Sequence, residues 1–153
     1  PGMLARRAVK GEPPIIAAAK ALQAELLAPP AAATADASVL GDERRAIGGF
    51  KKSALMVFGL ALQTYGDALS NQQEVLMHIA DMLMDVFAAD SAVLRATAAV
   101  QAQAPRAALH VDAARVFVND AAGRMEQGMR NVQHSTRNAQ RSSPENSDLD
   151  VGR

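Results

Sequence analysis

Residues Asn71–Ala96 read NQQEVLMHIADMLMDVFAADSAVLRA and are the main basis of the predicted fold. Apolar side chains recur along this stretch at spacings of three and four residues, which is the repeat of one face of a helix. Ser70 or Asn71 can cap the start of that helix, and the pattern continues to about Gln103 before Pro105 stops it. We therefore predict a long amphipathic helix with a buried face formed by Leu76, Ile79, Leu83, Val86, Val93, Thr97 and Val100.

Two further long helices are predicted, one on each side of this stretch. The helix before it, Asp42–Leu69, has an apolar face so wide that it implies burial against at least two neighbours. The helix after Pro105 has one apolar stripe and ends near His134. The residues expected in the core are Ile47, Phe50, Ala54, Leu55, Val57, Ala61, Leu62, Tyr65 and Leu69 in the first helix, and Val111, Ala114, Val118, Ala121, Met125, Gly128 and Val132 in the second.

Short connections make these helices antiparallel neighbours in an up-and-down arrangement. A shorter amphipathic helix is predicted over Ile15–Leu27, because Pro14 suits the first turn of a helix and Pro29 follows its end. The predicted fold class is therefore all-α: an up-and-down helical bundle of three long helices plus a shorter N-terminal amphipathic helix.

The composition along the chain divides it into four segments. Residues 1–30 form a basic and amphipathic N-terminal segment, and residues 31–41 read as a flexible, Ala-rich linker. Residues 42–134 are the helical bundle domain. Residues 135–153 are polar and have little to bury, so we expect a disordered tail.

Charge and cysteine content exclude several classes of function. The chain has 16 basic and 16 acidic residues, so no net field attracts it to nucleic acid. Cys is absent, which excludes disulfides, thiolate metal sites and Cys nucleophiles and fits a reducing compartment. No run of residues is apolar enough to span a bilayer, and the first residues do not have the pattern of a secretory signal.

One group of residues has the composition of a metal site. His78, Asp81 and Asp85 lie at helical spacings that bring them together, and His110 is expected to approach from the next helix. Di-iron and di-manganese sites in bundles use Glu-x-x-His pairs, which the chain lacks, since Glu74 and His78 are four residues apart. We therefore predict no metal site and interpret these residues as solvated or hydrogen-bonded.

Asp90 is the unusual carboxylate, because the predicted apolar stripe places it among core positions. A buried carboxylate needs a partner or a raised pKa. One interpretation is a perturbed acid in a cleft. The favoured one is an ion pair or hydrogen bond with Arg95, Tyr65 or a residue of a partner domain.

Two weaker motifs have ordinary explanations. The run Gly48-Gly49-Phe50-Lys51-Lys52-Ser53 lacks the Gly that a phosphate-binding loop places directly before its Lys-Ser pair, so we predict helix there, with the glycines allowing close helix approach or an irregular start. Six methionines suggest either an adaptable groove or simple core and boundary positions, and we favour the second: Met56, Met77, Met82, Met84, Met125 and Met129.

Basic residues precede the first amphipathic helix. Arg6, Arg7 and Lys10 followed by an apolar face can rest on an anionic membrane surface. The alternative is a linker helix that docks on protein.

The central stretch also resembles a helix near the C-terminus of the very-long-chain acyl-CoA dehydrogenases, members of the acyl-CoA dehydrogenase family. The similarity covers about Met3 to Val132 and is strongest over Asn71–Ala96. The residues that carry it are Gln73, Ala80, Asp81, Asp85, Leu94, Arg95 and Ala96.

This resemblance implies a C-terminal helical region without the catalytic flavin domain. The family uses FAD and a glutamate base to dehydrogenate long acyl-CoA thioesters in fatty acid β-oxidation. The resemblance therefore implies a dehydrogenase domain as partner, a homodimer, and membrane contact through residues 3–27 at a cytoplasmic or mitochondrial-matrix-like location. The polar run over residues 135–153 departs from the family, which usually continues with a further helix.

No position matches the family's base, flavin or acyl-CoA motifs. No catalytic, cofactor-binding or metal residue is therefore assigned, and we expect the chain to be inactive alone. A second hypothesis is a stand-alone helical protein-interaction module that binds a partner through an apolar face. What separates the two is whether a dehydrogenase precedes this chain in the same reading frame.

Overall fold

The computed structural model describes residues 3, 6, 7, 10, 14–27 and 36–141. These residues form helices and short connections, with no strand among them, so the all-α prediction is confirmed. No helix within this part of the chain is long and apolar enough to cross a membrane. The elements in chain order are α1 (Ile15–Leu27), α2 (Gly41–Tyr65), a 3₁₀-helix (Gly66–Asn71), α3 (Gln73–Gln101) and α4 (Ala107–Arg141).

The three long helices pack against one another as an up-and-down bundle. Helix α4 packs most extensively on α3, α2 packs on both, and α1 lies on α2. The predicted bundle of three long helices plus a shorter N-terminal one is therefore confirmed. Because the connections are short, each long helix returns alongside the one before it.

Two hydrophobic clusters lie along the length of the bundle. One lies around the 3₁₀-helix and contains Ile15, Ala54, Val57, Phe58, Ala61, Leu62, Leu69, Val75, Leu76, Ile79, Met82, Met125 and Val132. The other lies towards the α3–α4 connection and contains Leu40, Ile47, Ala89, Val93, Ala96, Val111, Ala114 and Val118. Phe50 packs against both clusters.

The predicted helix Asp42–Leu69 is interrupted near its end. Gly66 has φ +51°, a left-handed conformation that favours glycine, and it ends α2. The following 3₁₀-helix turns the chain so that Leu69 is fully buried. The prediction that Ser70 or Asn71 caps the next helix is wrong, because both lie in this 3₁₀-helix. Gln72 precedes α3 and makes no capping side-chain bond.

The buried face of α3 is rotated relative to the prediction. Leu83 is exposed and Thr97 is only partly buried, whereas Met82 and Ala96 are in the core. The sequence is ambiguous here because α3 carries apolar residues on two opposite faces. Small Ala side chains allow the neighbouring helices to approach the face that is buried, which contains Val75, Leu76, Ile79, Met82, Ala89, Val93 and Ala96.

Helix α4 has the predicted core face but a later end. All seven predicted residues are buried, from Val111 to Val132. The helix continues to Arg141, so the disordered tail predicted from residue 135 is wrong for residues 135–141. Thr136 is buried there, and its hydroxyl donates to the Val132 carbonyl at 3.0 Å. The rest of the predicted tail, residues 142–153, lies outside the described residues.

The end of the predicted flexible linker is an ordered turn. The Asp36 carboxylate accepts hydrogen bonds from the Ser38 backbone N–H at 3.0 Å and from the Arg44 guanidinium at 3.0 Å. Leu40 is buried in the core, and Gly41 approaches the Asp36 carbonyl so closely that a side chain would clash with it. The linker prediction is therefore wrong for residues 36–41, while residues 31–35 lie outside the described residues.

Helix α1 meets α2 at a contact between two small residues. A Cβ added at Gly59 would lie 2.3 Å from the Ala19 Cβ, so this approach requires glycine. Gly48 and Gly49 have open space around them and lie within the continuous α2 helix. The helical prediction for residues 48–53 is confirmed, but these two glycines do not mediate the close approach.

Gly59→Ala should lower the free energy of unfolding by about 1–3 kcal/mol, because the new methyl group overpacks the contact with Ala19. Gly49→Ala is the matched control in the same helix and should stabilise by up to about 1 kcal/mol through helix propensity. Urea unfolding followed by circular dichroism measures both. Equal effects from the two variants would contradict the close contact.

The Asp36 carboxylate should titrate at acid pH. Its pKa is lowered from 3.8 to about 2, because the Ser38 side chain, the Ser38 backbone N–H and the Arg44 guanidinium stabilise the charged form. Any stability from these bonds is present above pH 3.8 and is lost as pH falls through about 2. NMR titration of the carboxyl carbon should show this pKa, and Ser38→Ala should raise it, whereas the remote Ser70→Ala should leave it unchanged.

Candidate functional site

Polar side chains gather in a groove between α3 and α4. Its volume is about 410 Å³, and it is lined by His78, Asp81, Met82, Met84, Asp85, Arg124, Gln127, Gly128 and Asn131. The helices approach closely here, since a Cβ added at Gly128 would lie 2.8 Å from the Met82 Cγ. The prediction that His78, Asp81 and Asp85 lie together is confirmed, because all three line this groove.

An Arg–Asp pair occupies the centre of the charged part of the groove. The Arg124 Nε lies 2.9 and 3.1 Å from the two carboxylate oxygens of Asp85, and its Nη2 lies 2.8 Å from Oδ1. The hydrogen bond to Asp85 raises the pKa of Arg124. The pair joins α3 to α4 at the surface edge of the groove, since 16% of the Asp85 side chain but 48% of the Arg124 side chain is exposed. Arg124 is not among the site residues predicted from the sequence.

The Arg124 guanidinium has a second partner on its own helix. Its central carbon lies 5.3 Å from the centroid of the Phe117 ring, within the range of a cation–π contact. Arg124 and Phe117 are seven residues apart, which places them on one face of α4. Arg124 thus contacts Asp85 of α3 and Phe117 of its own helix.

The predicted residues do not converge as metal ligands. The His78 Nε2 lies 3.9 Å from the Glu74 carboxylate, and His110 is exposed near the start of α4. Gly128 of α4 lies beside His78. His110 is 18 residues before Gly128, or about 27 Å away along α4, so it does not approach His78. Among the described residues, no group of three or more His, Asp or Glu side chains is arranged to hold a metal ion.

Asp90 lies at the surface, contrary to the prediction that it occupies a core position. Its side chain is 40% exposed and pairs with Lys51 of α2 at 2.9 Å. The predicted ion pair is thus present but with a different partner from Arg95 or Tyr65. The reason is that the buried face of α3 is rotated from the predicted one. Ala89 is buried, and Asp90 lies at the edge of the contact between α3 and α2.

The methionines are divided between core and surface. Met82 and Met125 are buried, whereas Met56 and Met129 are at the boundary. Met77 and Met84 are exposed on the outer side of α3, so the core interpretation holds for only part of the set.

The described N-terminal residues lie at the surface. Met3, Arg6, Arg7 and Lys10 are exposed. Arg6 lines a groove with Glu74 and the adjoining start of α3. The rest of residues 1–13 lies outside the described residues.

The fold and these contacts define a helical bundle domain in which the Asp85–Arg124 and Lys51–Asp90 ion pairs connect neighbouring helices. The family profile described as Acyl-CoA dehydrogenase, C-terminal domain, matches residues 49–142. The chain belongs to this family. The profile covers α3 and α4 completely and most of α2.

A solved structure is similar over a larger part of the chain. It is the crystal structure of an acyl-CoA dehydrogenase complexed with FAD from Bacillus anthracis, with 32% sequence identity and a TM-score of 0.76. The similarity covers 89% of this chain but only 23% of that one, so this chain spans about a quarter of the length of its relative. A comparison with curated proteins found no match.

Asp85→Asn should lower the free energy of unfolding by about 1 kcal/mol, because it weakens the hydrogen bonds between the mostly buried carboxylate and Arg124, whose half-exposed side chain is partly screened by solvent. Glu126→Gln is the control, since Glu126 forms an exposed pair with Arg130 within α4 and should change stability by less than about 0.5 kcal/mol. Thermal and urea unfolding measure both variants. Equal losses would show that the Asp85–Arg124 pair has no special role.

Proposed function

We propose that this chain is the C-terminal helical domain of a flavin-dependent long-chain acyl-CoA dehydrogenase. In that enzyme it supports dimerisation and stability of the catalytic part, which acts in fatty acid β-oxidation. The observation that carries the proposal is the structural similarity to an FAD-complexed acyl-CoA dehydrogenase over 89% of this chain. The long-chain specificity rests on the likeness of residues 71–96 to the very-long-chain type.

The described residues do not themselves fit FAD. A flavin diphosphate needs converging cations or backbone N–H groups, and the groove between α3 and α4 instead combines Arg124 with Asp85 and Asp81. The groove that contains Arg6 also contains Glu74. A flavin in the proposed enzyme is therefore bound by the dehydrogenase part.

The proposed enzyme also contacts a membrane surface. We assign this contact to residues 3–27, because Arg6, Arg7 and Lys10 are exposed and precede the amphipathic α1. Helix α1 directs Ile15, Ala19 and Leu22 to the protein core, so its apolar face is not free for lipid. Membrane contact would then come from the basic segment, and the location would be cytoplasmic or matrix-like with peripheral attachment.

A stand-alone interaction module remains the second candidate. The observation that favours it is that the bundle has its own two-part core and exposed apolar residues on α3. Such a domain has the features of an independently folded binding module.

The reading frame upstream of the Pro1 codon in the source DNA tests the proposal directly. We expect an in-frame dehydrogenase segment, and expression of the whole frame should yield protein with the visible absorption of bound flavin. The 153-residue chain alone should be colourless in the same assay. A stop codon followed by a start site directly before this chain would contradict the proposal and favour the interaction module.

A further inference from the structure

The last turns of α4 carry a row of basic side chains. Residues 127–141 contain three Arg and one His but no Asp or Glu, whereas residues 107–126 of the same helix have three acidic residues and two Arg. We name the row the basic stripe and define it as Arg130, His134, Arg137 and Arg141, which are all exposed. Their spacings of four, three and four residues place them on one face of the helix.

The basic stripe faces away from the bundle. Val132 and Thr136 are buried, and each lies two residues from His134, or about 200° around the helix. From Arg130 to Arg141 the stripe is about 17 Å long. The exposed residues beside it are also polar: Gln133, Asn138 and Gln140.

Roles within the helix account for only part of the basic stripe. A cation in the last turn interacts favourably with the helix dipole, but this effect falls off within one turn, so it applies to Arg141 and not to His134. Arg130 pairs with Glu126 of the same helix. Within the described part of the chain, Arg137 and Arg141 form no ion pair. The stripe is therefore a cationic surface that lacks carboxylate partners over most of its length.

Acidic residues follow the basic stripe in the sequence. Glu145, Asp148 and Asp150 are the only acidic residues after Glu126, and they lie beyond the described residues. The dipeptide Ser143-Pro144 precedes them, and such a dipeptide disfavours helix and favours the start of a turn. The sequence thus supplies a carboxylate-rich segment and a means of reversing the chain before it.

We propose that the basic stripe of α4 is the docking surface for this acidic segment, residues 145–150 of the same chain. Exposed ion pairs are individually weak. Three residues, 142–144, tether the segment to the helix and give it a high effective concentration at the stripe. The docked segment neutralises the stripe and closes it to other anions. This docking does not depend on a dehydrogenase upstream.

The spacing of the carboxylates fits a segment that runs back along α4. An extended chain rises about 3.3 Å per residue, so the second and third carboxylates lie about 10 and 17 Å beyond the first. Along the helix, His134 and Arg130 lie about 11 and 17 Å before Arg141. With Glu145 beside Arg141, the next two carboxylates reach His134 and Arg130.

An anionic lipid surface fits the basic stripe less well. Helices that lie on membranes place apolar side chains below the lipid headgroups, and the basic stripe has none. Its polar neighbours do not supply them either. A short acidic segment requires only the charges that the stripe presents.

A nitroxide label near the end of the acidic segment tests the docking. Because the chain has no Cys, Val151→Cys gives a single attachment point in the full 153-residue chain. The label should broaden the amide NMR signals of residues 130–134 at least about two-fold more at low salt than in 1 M NaCl, which screens charges beyond about 3 Å.

The control is the same labelled chain with Glu145→Gln, Asp148→Asn and Asp150→Asn. These changes keep the length of the segment and remove its charge, so the broadening at low salt should fall to the value in 1 M NaCl. Equal broadening with and without the three carboxylates would overturn the proposal.

Charge exchange tests the direction of docking. Arg130→Glu should reduce the broadening about two-fold, because it opposes like charges, and the further change Asp150→Arg should restore it. Combining Arg130→Glu with Glu145→Arg should not restore it. Arg106→Glu is the matched control and should have no effect, since Arg106 is exposed before the start of α4. Equal restoration by both tail variants, or by neither, would overturn the pairing.

Mixed samples distinguish docking within one chain from docking between copies. A nitrogen-15-labelled chain without nitroxide is mixed with a nitroxide-labelled chain at natural isotope abundance. The signals of residues 130–134 should keep their widths in this mixture. Broadening as strong as that within the singly labelled chain would show that the acidic segment docks on another copy, and would overturn the assignment to the same chain.

Discussion

Close packing of α3 on α4 forms the most extensive contact between helices in the bundle, and α2 packs on both of them. It requires small residues where the helices meet, and Gly128 against Met82 and the buried Ala89, Ala96 and Ala121 meet that requirement. Aromatic residues make up only 3% of the chain, so contacts between small and aliphatic residues fill most of the core. The Asp85–Arg124 pair then joins the same two helices at the edge of the core.

Ion pairs connect the remaining helices around this contact. Lys51 of α2 pairs with Asp90 of α3, and Lys52 of α2 pairs with Glu25 of α1 at 2.6 Å. Adjacent lysines on one helix thus reach two different neighbours. Because these pairs are exposed, they specify helix positions more than they stabilise the fold. The two pairs thus connect α2 to both α1 and α3.

The sequence predicted helix α4 well because its polar and apolar faces are sharply separated, and every predicted core residue from Val111 to Val132 is buried. It predicted α3 less well for the opposite reason. Helix α3 has apolar residues on more than one face, with Met82 on one and Leu83 on another. Only the tertiary contacts decide that the face with Met82 is buried and Leu83 is exposed. The misplacement of Asp90 follows directly from that choice. Arg124 could not be identified because its partner lies on another helix, 39 residues away.

The structural position of Phe50 has a consequence for how the domain comes apart. Its ring packs against both hydrophobic clusters, and helices α2, α3 and α4 each run through both of them. The two clusters share the same three helices. Local unfolding of one cluster would therefore also remove contacts from the helices that form the other. The bundle therefore behaves as one cooperative unit rather than two stacked subdomains.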